Sequence, residues 1–344
     1  MSTQDKLSED EAALYDRQIR LWGLEAQARL MKMKILLIGL SPISGEIIKN
    51  IVLSGVNTLV LCDDKLVNRT DIDSCFLFEE SHLNTKRNKS VFARAHSLNE
   101  KVNITCEDNV SEDFLAENYQ DYDEIIISLD LCGETFKNWM KYVQKFCSKP
   151  NRPRIHCVAS LGMHAVGFAD LGHFTFDGDE FTILPDAKAK TESNGNTRLS
   201  VTCICMWFLL YQTVDYPSLG SFFDADWNDK ANSQFNVKRM PKGFFLTHLL
   251  SSLKEPLSNQ SLKEEWPKVA LRLGFPISSL SDDDIDSCFG DPIVSVNAIM
   301  GGIISQEIIQ GLSHKGKPKG NWYFLDGRTC EASILWLPEQ VSMH

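Results

Sequence analysis

The 344-residue chain has ten cysteines and no Cys-x-x-Cys pair, so it lacks the ligand spacing of the common structural zinc sites. None of its eight histidines stands in H-x-x-x-H or H-E-x-x-H spacing, and each reads as a surface or core residue. No apolar run approaches the ~20 residues that cross a bilayer; the longest lies within Leu199–Tyr211. A basic excess is also missing: 35 Lys and Arg face 46 Asp and Glu, a net charge of −11. That sign argues against nucleic acid or an anionic membrane as partner, and fits solubility or a basic protein partner. The polar, acidic opening residues carry no signal-peptide or transit-peptide pattern. An intracellular protein is expected, with its cysteines as free thiols filling cores.

What is present is an ordinary globular composition, 43% hydrophobic and 24% charged, long enough for two domains or one large α/β unit. Ser8 to Glu11 forms a capping box, so a helix follows it. Tyr15, Ile19 and Trp22 share one face of that helix, and Gly23 breaks it before a second short helix over 24–31. Lys34 to Gly39 is an apolar run ending in glycine, the pattern of a strand buried on both faces. A helix over 43–53 follows, with Gly55 as its C′ residue. Strands are expected over 58–62, 102–106, 124–129 and 154–160, with helices over 85–98, 114–119 and 135–146 between them. This alternation implies a doubly wound, mostly parallel sheet with helices on both faces. After about residue 180 the pattern loosens. Residues 185–198 read as an exposed loop, 216–236 show no period, and 281–284 read as an acidic turn. Helices return over 244–253, 262–273 and 292–310, and two strands, 321–325 and 333–337, flank an Asp326-Gly327 turn. The Gly301-Gly302 pair in the 292–310 helix implies close backbone packing.

A doubly wound sheet binds phosphates on the loop after its first strand. Here that loop runs Gly39, Leu40, Ser41, Pro42, Ile43, Ser44, Gly45. Serines stand at 41 and 44, where the dinucleotide fingerprint needs glycine, and Pro42 has no N–H to offer. The loop therefore reads as a strand-to-helix turn that binds no nucleotide. Asp63 lies where an acid would take ribose hydroxyls, or it caps the end of its strand. Asp130 ends a later strand, as a Mg²⁺ ligand or as the cap of the next helix. Arg17 and Arg20 lie off the Tyr15/Ile19/Trp22 face. Such arginines stabilise the charge of a transferring phosphoryl or adenylyl group, even from a neighbouring subunit, or are plain surface arginines.

The run Tyr15 to Gly23, Tyr-Asp-Arg-Gln-Ile-Arg-Leu-Trp-Gly, resembles the ThiF/MoeB adenylation-fold family that includes the activating enzymes for ubiquitin and its relatives. Its continuation, Leu24 to Leu30, is most similar to the small, Aos-type subunits of heterodimeric SUMO-activating enzymes. Phe76-Leu77-Phe78, Lys86-Arg87-Asn88-Lys89, Gly167 to Gly172, Val296 to Ile309 and Phe324 to Gly327 extend the resemblance. It covers about 8–180 and 237–338 and leaves 181–236 poorly matched.

The resemblance implies a pair of related adenylation halves. One binds ATP and Mg and the modifier's C-terminal glycine, forms the acyl-adenylate and passes it to a catalytic cysteine. The other is inactive but completes the site, and its arginine at the position of Arg17 reaches the partner's ATP. Arg17 is the lead functional residue; Arg20 is second, or simply holds the helix by a salt bridge. The departures match the inactive half. Ser41, Pro42 and Ser44 replace loop glycines; Asp73-Ser74-Cys75-Phe76 replaces Asn-Arg-Gln-Phe, losing the phosphate-facing arginine; Leu131 follows Asp130 in place of Asn. Gly39, Asp63, Lys89 and Asp130 persist from the family's nucleotide pocket. No cofactor or metal is assigned to this chain itself.

Four segments are expected: helices carrying the Arg17 motif over 1–33, the Rossmann-like half over 34–180, an irregular insertion over 181–236, and helices and strands over 237–344 completing the same domain. The partners implied are the large catalytic subunit, met through helices including 292–311, and SUMO. The location implied is the nucleus, with the cytoplasm also open. A stand-alone ThiF/MoeB-like adenylyltransferase, which needs an intact loop and phosphate arginine, a nicotinamide oxidoreductase with a worn loop, and a small subunit for another ubiquitin-like modifier are the alternatives.

Overall fold

The computed structural model describes residues 7–108, 118–129, 143–145, 147, 152–178, 210–227, 237–252 and 258–338. Eight strands form one sheet in the order β10-β9-β6-β5-β4-β1-β2-β3. They are β1 (Lys34–Ile38), β2 (Thr58–Cys62), β3 (Asn103–Glu107), β4 (Glu124–Leu129), β5 (Arg154–Leu161), β6 (His164–Asp170), β9 (Trp322–Asp326) and β10 (Glu331–Leu335). The five strands from β3 to β5 run parallel, while β6, β9 and β10 add antiparallel to that edge. A separate two-stranded ribbon joins β7 (His173–Gly178) to β8 (Leu210–Asp215).

The parallel strands are short apolar runs because both of their faces are covered. Ile35, Leu37, Leu59, Leu61 and Ile126 point into one core, with the helices α4 (Pro42–Ser54), α6 (Arg87–Leu98) and Val294–Ser313 above it. Leu36, Ile38, Val60, Ile125 and Ile127 point into the other. That second core is closed by Leu219–Asp224, Lys242–Ser252 and Asn259–Leu273, and is rich in stacked and edge-on rings around Phe222, Phe244 and Trp227. Such ring pairs add to the burial energy of the side chains themselves.

Several elements differ from the sequence reading. The first helix is broken at Tyr15 into α1 (Glu9–Leu14) and α2 (Asp16–Trp22), followed by α3 (Leu24–Leu30). The Ser8 capping box forms as expected. Residues 281–284 are no turn: Ser281 caps the helix Asp282–Asp286 through a box with Asp284. Strands β6 and β7 go beyond the sequence reading: β6 carries no alternation because it is buried along its whole length, whereas β7 alternates, with Phe174 and Phe176 buried between the less buried His173 and Thr175. Part of 181–236 is regular: β8 pairs with β7, and Phe222 and Trp227 enter the core. The loop expected over 185–198, the helix expected over 135–146 apart from 143–145, and residues 114–117 of another lie outside the described residues.

Candidate functional site

The strand order reverses between β1 and β4, which opens the crevice where doubly wound sheets place ligands. Gly39 ends β1 at φ +81°, and a Cβ there would collide with the Ser128 carbonyl oxygen at the end of β4. The loop therefore hugs its neighbouring strand. Leu40 donates its N–H to Asp63 Oδ2 at 2.7 Å, and Lys65 donates to Asp63 Oδ1 at 2.8 Å. Asp63 is buried, as is Arg87, whose Nη1 lies 3.6 Å from Asp63 Oδ2. The same guanidinium grips Asp71 with two bonds of 2.9 and 2.8 Å. Both Asp63 oxygens are thus turned inward to the protein's own donors.

Ser41 is extended at the N-cap of α4, yet its hydroxyl does not cap the helix. It meets the Ser128 hydroxyl at 2.5 Å, joining β1's loop to β4 across the switch point. Pro42 takes the first helical position, where its missing N–H costs least. Ser44 donates back to the Ser41 carbonyl at 2.6 Å. Ser41 and Ser44 are both buried. Ser74, at the position of the family's phosphate arginine, is buried and turns its hydroxyl to the Thr70 carbonyl. At this loop the Leu40 amide is taken, Pro42 has no N–H to offer, and each Asp63 oxygen accepts a backbone amide.

Lys89, on α6, is largely solvent-exposed; its Nζ lies 4.0 Å from Asp108, which Lys86 holds at 2.8 Å. Asp130 falls outside the described residues, one position beyond β4. Among the described residues no group of three or more His, Cys, Asp or Glu could hold a metal ion, and no helix is long and apolar enough to cross a membrane.

Arg17 stands elsewhere, on α2, exposed and without an ion pair or hydrogen bond among the described residues. Arg20 is also exposed and pairs with Asp16 at 2.9 Å, one helical turn back. The anchor beneath them is Tyr15, 2% exposed, whose hydroxyl accepts a bond from Asn99 at 2.9 Å. Its ring fills the space over Gly55, which ends α4 at φ +79° and has no room for a Cβ. The structure thus brings together Gly39, Ser41, Pro42, Ser44 and Asp63 at the switch point, and places Arg17, Arg20 and Lys89 on exposed helix surfaces. Sequence reasoning missed Ser128 and Arg87. Ser128 could have been found by counting back two positions along β4 from Asp130.

Around the turn between β9 and β10 lies a cleft of about 550 Å³, lined by Arg239, Lys242, Asp284, Asp326, Arg328 and Ser333 among others. Burial raises the Asp284 carboxyl, but the Ser281 amide, Arg328 and Lys242 outweigh it and hold the group well below the usual carboxylate range. No residue singled out from the sequence as a functional candidate lines this cleft.

Comparison with known proteins agrees with this architecture. A relative in Xenopus tropicalis, "SUMO-activating enzyme subunit 1", is 31% identical over 346 residues, covering 95% of this chain and 96% of the relative. The protein of that name in Homo sapiens is 28% identical over 332 residues, covering 93% of each. Among solved structures, E. coli MccB is similar in fold, with a TM-score of 0.55 at 12% identity, covering 98% of this chain and 74% of that one. PaaA gives 0.52 at 12% identity, over 97% and 75%. A profile of the ThiF family matches residues 15–339, from the anchor of the Arg17 helix past the last strand of the sheet, and the chain belongs to that family.

Proposed function

We propose that this chain is the small, non-catalytic subunit of a heterodimeric SUMO-activating enzyme. The observation that carries the reading is a contrast within one fold. The switch-point loop is closed on its own side chains, while Arg17 stands exposed with no partner of its own among the described residues. The relatives named SUMO-activating enzyme subunit 1, aligned over nearly their whole length, supply the pathway. In this reading the large subunit holds ATP and Mg and the SUMO C-terminal glycine, and later carries the thioester. This chain docks beside it and brings the Arg17 guanidinium to the phosphates. A positive charge fixed there offsets charge that develops as the adenylate forms, and fixed groups of this kind are worth ~3–4 kcal/mol. Work in the nucleus follows from the same reading.

The test is ATP–pyrophosphate exchange with SUMO and with ubiquitin, using the chain alone and then mixed with the large SUMO-activating subunit. Exchange in the mixture alone, and with SUMO alone, is expected. Exchange by the isolated chain would make it an adenylyltransferase in its own right and overturn the reading.

A further inference from the structure

The helix that carries Arg17 has little core of its own: α2 contributes no buried residue. It is nevertheless fastened, and by an unusual seat. The last carbonyls of α4 are short of intrahelical donors, as at every helix end. Three in succession accept side-chain amides: Val52 from Asn99 at 3.0 Å, Leu53 from Gln18 at 3.1 Å and Ser54 from Gln27 at 2.9 Å. The second donor of Asn99 goes to Tyr15, and Gln27 accepts from the Trp22 indole at 3.1 Å. Tyr15 pins the start of α2 and Trp22 its end. Between them, Gln18 is the α2 side chain hydrogen-bonded to α4.

Tyr15 and Trp22 lie seven positions apart and face nearly the same way, so together they leave this short helix only a small range of roll about its axis. A third tether in the first turn removes that freedom. Gln18 is the residue next to Arg17, and successive helical side chains diverge by about 100°. Holding Gln18 inward on Leu53 therefore fixes the direction in which Arg17 leaves the surface. We propose that Gln18 is a positioning residue for Arg17, setting the roll of α2 through its bond to the end of α4. This rests on the reading of Arg17 given above. A misplacement of about 1 Å in a catalytic group can cost 10²-fold in rate, so a modest bond can matter to the reaction while contributing little to stability.

The experiment uses the reconstituted heterodimer. Gln18→Met keeps the length and loses the donor; Gln18→Lys keeps a donor for the Leu53 carbonyl. The methionine variant is expected to form adenylate about 10-fold more slowly at saturating ATP, with heterodimer assembly unchanged, and the lysine variant to recover most of the rate. Arg17→Ala combined with Gln18→Met should be no slower than Arg17→Ala alone, since a residue acting through Arg17 has nothing left to position. Independently of activity, amide hydrogen exchange over residues 16–22 should quicken in Gln18→Met and stay unchanged in Arg17→Ala. A wild-type rate in Gln18→Met, or a double variant slowed by the product of the two single effects, would overturn the proposal. A wild-type rate in Arg17→Ala would instead sink the reading of Arg17, and the exchange data would still show whether Gln18 holds the helix.

Discussion

Asp63 occupies the position from which an acid meets a ribose, and its two oxygens are spent on the Leu40 and Lys65 amides. Removing the carboxylate leaves two amides and the neighbouring Arg87 without that acceptor. Asp63→Ala should therefore destabilise the chain by about 2–4 kcal/mol, read from urea unfolding; an unchanged midpoint would contradict the bonding described. His248 offers a second residue-scale test. It is 3% exposed among Phe222, Phe244 and Phe275, and burial lowers its imidazole to about 3. The unfolded chain takes up this proton near the ordinary histidine value, so below about pH 6.5 the unfolded state binds more protons than the folded one. Stability should fall on acidification from there by up to about 1.4 kcal/mol per pH unit. His248→Phe should reduce that slope between about pH 6.5 and 5, leaving the part due to His164 and His314, which burial also lowers; an unaltered pH dependence would show that His248 does not contribute to it. The position of Asp63 could be read from its spacing after Gly39. The Lys65 amide, two residues on, is a local turn contact, but Leu40 and Arg87 meet Asp63 only once β1, β2 and α6 are assembled.

At the scale of elements, the runs that form β1, β2 and β4 were legible almost to the residue, because strands covered on both faces must be apolar throughout. The same reasoning could not find β6. His164 to Asp170 contains Gly167 and two alanines, and glycine is needed there because a Cβ would strike Ile304 of the long helix. That packing demand lies 137 positions away and leaves no local pattern. The break at Tyr15 was hidden for a similar reason: the i, i+4, i+7 pattern is sound, but the Tyr15 ring is committed to Gly55. The glycine pair of Val294–Ser313 separates cleanly. At Gly301 a Cβ would press on Glu46 Cβ and the Ile43 carbonyl of α4, whereas at Gly302 it would meet nothing within 4 Å. Gly302→Ala should stabilise the isolated chain by about 0.5–1 kcal/mol, the ordinary helix-propensity gain. Gly301→Ala should instead cost about 1–3 kcal/mol, as overpacking does. Thermal unfolding of the two variants checks both signs, and equal shifts would contradict the packing of this helix on α4.

For the whole molecule, α4 links the two features that matter. Its first turn begins at the Ser41–Ser128 contact across the switch point, and its last carbonyls seat the Arg17 helix. The switch-point loop thus fixes one end of the element on which α2 rests. The doubly wound half of the sheet was legible from alternating strands and helices. The antiparallel edge of β6, β9 and β10 was only half legible, since the last two strands were expected but their docking on β6 was not. The central claim is that Arg17 acts on chemistry held by another subunit. It is tested most directly by single-turnover adenylate formation in the heterodimer carrying Arg17→Ala, with assembly verified on the same sample. The account predicts normal assembly and a rate lowered by ~10²–10³-fold. A normal rate from a normally assembled heterodimer would contradict it.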